Sequence, residues 1–186
     1  MENRFPTVLF MAMMRLLFSG CTKDSDYEVQ PFKPMIFSED FSVVTDNSTS
    51  LTLRGWTLFA EAGTKNWDEG TYGGEAYAEF TSYQSGETVN IAWLISPSIN
   101  MDSHEGEKFL FQAAQAYVSN VGNSLEVLVS SDFDGDPTHV LNATWTSLSY
   151  TRPATVFYEY ANSSVDLSSY AGNIHIAFKV RGSGTN

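Results

Sequence analysis

From about residue 35 onward, apolar side chains recur at every second position. No long stretch carries the roughly 3.6-residue apolar stripe of an amphipathic helix. Leu125, Val127 and Val129 share one face of an extended run, and Ile174, Ile176, Phe178 and Val180 share another. Ile91, Trp93 and Ile95 line up while Leu94 points the other way. Phe109, Phe111 and Ala113 form a fourth row, and Val156, Tyr158 and Tyr160 a fifth. Turn-forming residues separate these runs: Gly73-Gly74, Ser85-Gly86, Ser96-Pro97, Asn120 to Asn123, Asp134-Gly135-Asp136-Pro137 and Ala171-Gly172-Asn173. Short strands at this spacing, without intervening helices, predict an all-β, antiparallel two-sheet sandwich. Only Met101–Glu107 and Ser168-Ser169-Tyr170 suit a short helical turn.

The chain has enough apolar material to form a core, with 42% hydrophobic and 14% aromatic residues, so global disorder is excluded. Removing residues 1–20 takes away Glu2, Arg4 and Arg15. This leaves 8 Lys and Arg against 21 Asp and Glu, a net charge of 8 − 21 = −13. So acidic a body repels phosphate backbones, and nucleic acid is excluded as a partner. The single cysteine, Cys21, cannot form an intramolecular disulfide.

Residues 5–19 are mostly apolar, follow Arg4 and end in small residues, as in a secretion signal, and are too short to span a membrane comfortably. Leu17-Phe18-Ser19-Gly20-Cys21 resembles a bacterial lipobox, with Phe18 where leucine is usual and Arg15 inside the apolar run. The expected organisation is a lipoprotein signal peptide over 1–20, a polar tether over 21–34 carrying Pro31 and Pro34, and one domain over 35–186. Lipid on Cys21 would be the only membrane attachment. Asp24, Asp26 and Glu28 are similar to the acidic export tag of outward-facing lipoproteins, and equally suit a solvated linker.

The domain contains a longer pattern. It runs Glu39-Asp40-Phe41, Gly55-Trp56, Ala60 to Trp67, Ala76-Tyr77-Ala78 and Trp93-Leu94-Ile95-Ser96-Pro97. It continues through Ser124–Ser131, Ala143-Thr144-Trp145, Val165 to Tyr170 and Gly172 to Lys179. Over about residues 36–186 it resembles the choice-of-anchor J domain of Bacteroidetes surface lipoproteins, itself similar to cleaved-adhesin and MAM-like jelly rolls. The resemblance implies a jelly roll outside the cell that anchors, adheres or associates with carbohydrate. It also implies a further closing strand, which this chain is expected to lack, leaving an unpaired inner edge.

No histidine among His104, His139 and His175 has zinc-ligand spacing, and His175 is expected on the outward face of its strand. Nucleophile-elbow, phosphate-loop and dinucleotide patterns are absent. Glu61, Asp68, Glu69 and Glu79 are the carboxylates available for glycoside hydrolysis. Asp132, Asp134 and Asp136 alternate as hard oxygen ligands for Ca²⁺ could, and an ordinary hairpin turn explains them equally. Glu39 and Asp40 match the element that carries a Ca²⁺-associated carboxylate in MAM-type domains. Trp67, Tyr72 and Tyr83 lie in Gly-rich or polar segments and are candidates for sugar stacking, whereas Trp56, Trp93 and Trp145 suit the core. The functional expectation is a non-catalytic cell-surface binding or adhesion module at the outer membrane, its partner a glycan or another envelope protein. A structural spacer in a larger surface protein, and a glycan hydrolase, are the alternatives.

Overall fold

The computed structural model describes residues 34–44, 49–102, 104–118 and 120–185. The signal, the tether to residue 33 and Cys21 lie outside the described residues. Contacts divide the chain into Met1–Met35 and Ile36–Asn186, and every strand among the described residues belongs to the second unit. All strand pairs among the described residues are antiparallel, as expected from the sequence.

The larger sheet is built on β10 (Asn173–Gly182), flanked by β4 (Asn90–Ile95) and β7 (Ser124–Ser130). Its edges are β1 (Thr57–Ala62), against β4, and the short β8 (Thr146–Ser147), against β7. β5 (Ile99–Asn100) pairs with the start of β10. The opposing layer consists of two separate pairs. One is β2 (Trp67–Tyr72) with β3 (Glu75–Phe80), and the other is β6 (Lys108–Ala113) with β9 (Ala161–Asp166). The β2–β3 turn is Gly73-Gly74, with φ of 63° and 91°. Two left-handed residues in a two-residue loop match the twist of a hairpin, and glycine takes them without a Cβ penalty.

Alternation explains one face of the larger sheet. Val127, Val129, Ile174 and Ile176 pack with Val165, Phe109 and Phe111 of the β6–β9 pair and with Leu167 just after it. Ala92 and Leu94 pack with Trp67, Ala76, Ala78 and Phe80 of β2–β3 and with Leu51 and Leu53. The second face is covered too. Phe133, Val140 and Trp145, from the segment between β7 and β8, close over Trp93, Ile95, Leu128 and Ala177. Every residue of β4 is consequently buried.

Where β4 gives way to β5, the register against β10 slips by one residue. Pro97 has no N–H to offer the ladder. The Ser96 carbonyl turns to His175 Nδ1, and the Ser96 hydroxyl takes its place as acceptor for the Ile176 amide at 3.0 Å, while the Ser96 amide donates to the Ile176 carbonyl at 2.8 Å. The Ser-Pro turn is therefore a bulge spliced into a continuous sheet.

Three local expectations are corrected. The described residues of Met101–Glu107 form no helix; the one helical turn among the described residues is the 3-10 turn Pro137–His139, capped by the Asp136 carboxylate. Val156, Tyr158 and Tyr160 do not form a strand, because Tyr158 turns to φ 58° and the strand begins only at Ala161. His175 is not on the surface. It is 7% exposed, since Phe133 packs edge-on against its ring at 5.0 Å.

Candidate functional site

The expected site residues are scattered. Trp67 is 8% exposed, tilted against Phe80 at 6.1 Å, and so offers no free flat face to a sugar. Its burial comes from Leu51, Leu53 and β3, none of which its Gly-rich neighbourhood announces. Tyr72, at the β2–β3 hairpin, and Tyr83, in a turn after β3, are both exposed, and among the described residues no ring contact joins them to another aromatic.

The carboxylates expected to hold Ca²⁺ are turned to separate tasks. Asp132 accepts from the Ser130 hydroxyl and the Thr144 amide, and these bonds hold its carboxyl below the usual range. The Asp134 carboxyl is lowered first by the Asp136 amide and then by His139, whose Nδ1 lies 2.7 Å away. Asp136 takes the Thr138 hydroxyl and amide, which lower it in turn. Glu39 accepts from the Phe41 amide and from Trp56 Nε1, while Asp40 caps Ser42. Among the described residues, no three His, Cys, Asp or Glu side chains gather where a metal ion could sit.

The hydrolase candidates also separate. Glu61 is bound to Lys179 Nζ at 2.8 Å and to Trp93 Nε1 at 2.8 Å. Burial raises its carboxyl, but these two bonds and the charges of Lys179 and Arg181 outweigh burial and hold it low. Glu69 takes the Thr49 hydroxyl. Asp68 and Glu79 do meet, as direct partners across β2–β3, and burial pushes the Asp68 carboxyl up.

The two strands also carry the start of a larger surface that sequence reasoning missed. On the face that bears Asp68 and Glu79, Tyr77 lies across Gly70; a Cβ at Gly70 would meet the Tyr77 ring at 2.2 Å. Burial raises the Tyr77 hydroxyl's pKa, and the neighbouring charges of Glu79, Tyr160 and Tyr158 raise it further. Tyr158 and Tyr160 therefore lie within electrostatic range of Tyr77 on β3. The 154–160 segment is held against Gln115, just after β6: the Gln115 side-chain amide donates to the carbonyls of Pro153 and Ala154, and the Gln115 carbonyl accepts from the Tyr158 amide. Tyr117 packs tilted against Phe157, with ring centroids 4.6 Å apart. Tyr117, Phe157 and Tyr158 are 75%, 58% and 64% exposed, and Tyr160 is exposed beside them.

Tyr117 and Tyr158 both hold left-handed backbone, at φ 56° and 58°. That conformation costs a non-glycine residue roughly 1–2 kcal/mol. Such strain persists where surrounding contacts impose it, and it gathers at functional positions. The surface combines flat apolar rings with a tyrosine hydroxyl and the carboxylates of Glu79 and Asp68. Rings can cover the C–H face of a pyranose, and carboxylates accept hydrogen bonds from its hydroxyls.

Compared with known protein-family models and with curated proteins, the chain matches none at a significant level.

Proposed function

We propose that this protein is an outward-facing bacterial surface lipoprotein whose sandwich, a jelly roll of the choice-of-anchor J type, is a non-catalytic module that binds glycan. The observation that supports the reading is the exposed aromatic surface of Tyr117, Phe157, Tyr158 and Tyr160, with the half-buried Tyr77 and the Glu79 carboxylate near it and strained backbone at Tyr117 and Tyr158. Exposing three large rings at one place forgoes burial that stabilises a Phe-sized side chain by about 1.5–3 kcal/mol each. Contiguous exposed apolar surface of this kind marks an interaction site. Its carboxylates and tyrosine hydroxyl favour a hydroxyl-rich ligand over a purely apolar one. Acylation of Cys21, by the lipobox reading, supplies the attachment.

The test is a glycan array with the purified protein, beside a pull-down from envelope extracts. The expected result is a glycan hit that weakens about 30-fold in the Tyr117→Ala/Phe157→Ala double variant. Such a loss corresponds to roughly 2 kcal/mol, the usual cost of truncating an interface anchor. Unchanged binding in that variant, or capture of an envelope protein without any glycan hit, refutes the reading. Mass spectrometry of the membrane fraction tests the anchor: an acylated Cys21 is expected, and Cys21→Ser releases the protein.

A further inference from the structure

We propose that an open cleft at one end of the larger sheet binds a single neutral sugar ring, with His175 Nε2 receiving one of its hydroxyls. This site is distinct from the aromatic surface and stands without it. The cleft measures about 420 Å³ and is walled by the Gly55–Thr57 turn, the Ser-Pro bulge and the segment after β7. Thr57, Ser98, Ser131, Asp134, Asn173 and His175 present its polar groups.

His175 is the reason to read the cleft as a site. Its Nδ1 lies 2.8 Å from the Ser96 carbonyl, which can only accept, so Nδ1 carries the proton. In the neutral ring Nε2 is then an acceptor, and no described residue engages it. Among the described residues, the buried side-chain atoms without partners are Trp67 Nε1 and Glu107 Oε1. His175 Nε2 is not one of them. An unpartnered atom outside that set keeps contact with solvent, and the solvent beside this otherwise buried ring is the cleft. Phe133 and the bulge fix the ring on two sides, so the acceptor is held in place before any ligand arrives.

The lining selects the ligand class. No Lys or Arg reaches the cleft, which disfavours an anion. Its one carboxylate, Asp134, is already paired with His139, which disfavours a free cation. What remains is hydroxyl and amide groups around an immobile acceptor, with Pro97 as apolar wall. The volume lies within the range of about 300–1,000 Å³ usual for small-ligand sites. A neutral polyhydroxylated ring meets each of these conditions.

The test is an imidazole ¹H–¹⁵N correlation spectrum of the purified chain, titrated with the methyl glycosides of glucose, galactose, mannose and N-acetylglucosamine. At least one glycoside is expected to shift His175 Nε2 saturably while Nδ1 stays protonated. Ser131→Trp fills the cleft from an exposed position and should weaken that response more than tenfold; Ser98→Trp serves the same purpose where the first variant does not fold. The Tyr117→Ala/Phe157→Ala variant should keep the response. A His175 signal indifferent to all four glycosides overturns the proposal, as does a response that survives both cleft-filling variants. A response lost only with the aromatic pair also overturns it and places the ligand on the other surface.

Discussion

Replacing Ser96 with alanine tests the account of the sheet's central bulge. Ser96 and Ile176 are 2% and 3% exposed. The Ser96 hydroxyl accepts from the Ile176 amide at 3.0 Å and lies 2.9 Å from the Pro97 carbonyl, to which it donates. Alanine keeps the backbone bond from Ser96 N to the Ile176 carbonyl and removes only the hydroxyl. The Ile176 N–H is then buried with no acceptor, which costs about 1–3 kcal/mol. Pro97 is only half-buried, so its carbonyl is assigned to water in the variant and the lost bond adds little. The expected destabilisation is about 2 kcal/mol. In urea, where a domain of this size has an m-value of about 2 kcal/mol/M, the midpoint falls by roughly 1 M at unchanged slope. Amide exchange at Ile176 should accelerate relative to Val129, its partner in the ladder. Ser149→Ala, at an exposed position, is the control and should stay within about 0.5 kcal/mol of the parent. A Ser96→Ala midpoint indistinguishable from that control, with Ile176 still protected, would refute the claim that the hydroxyl completes the ladder.

Leu94→Ala should cost about 2–5 kcal/mol by thermal or chemical denaturation, because Leu94 is enclosed where the sheet meets Leu51, Leu53 and Trp67. Gln84→Gly should stabilise by roughly 0.5–1 kcal/mol, since Gln84 holds φ 56° in an exposed turn where glycine is unstrained. The Asp134–His139 contact has a defined pH window. The Asp134 hydrogen bond and then its charge raise the His139 pKa, so that contribution is complete below the unfolded imidazole range and disappears as pH rises through the folded value. The lowered Asp134 contributes above the unfolded carboxylate range and loses its effect as pH falls through its folded value. The pair therefore contributes most between about pH 4 and about pH 6.5. An NMR titration should place His139 above an ordinary histidine and bring it down in Asp134→Asn; an unmoved midpoint contradicts the pairing.

The sequence-derived reading succeeded where one strand face meets the core and local chemistry sets the turn. Phe109, Phe111 and Ala113 do point inward together, and Gly73-Gly74 does close a hairpin. It erred at His175 because alternation reports extended backbone and says nothing of what covers the second face. The cover there is Phe133, about forty residues distant in the chain, and no local pattern encodes that contact. The same limit applies to Trp67. Trp67 was chosen for its Gly-rich surroundings, yet burial depends on tertiary neighbours, and Leu51 and Phe80 enclose it. Val156, Tyr158 and Tyr160 have the spacing of a strand row, but the left-handed turn at Tyr158 takes them out of the ladder and into solvent. That inversion is itself an argument. A fold that finds room to bury Trp67 and Trp93 leaves Tyr117, Phe157 and Tyr158 outside, two of them on backbone that resists the conformation. Folding stability alone gives no reason for that arrangement, whereas a ligand that covers the rings does.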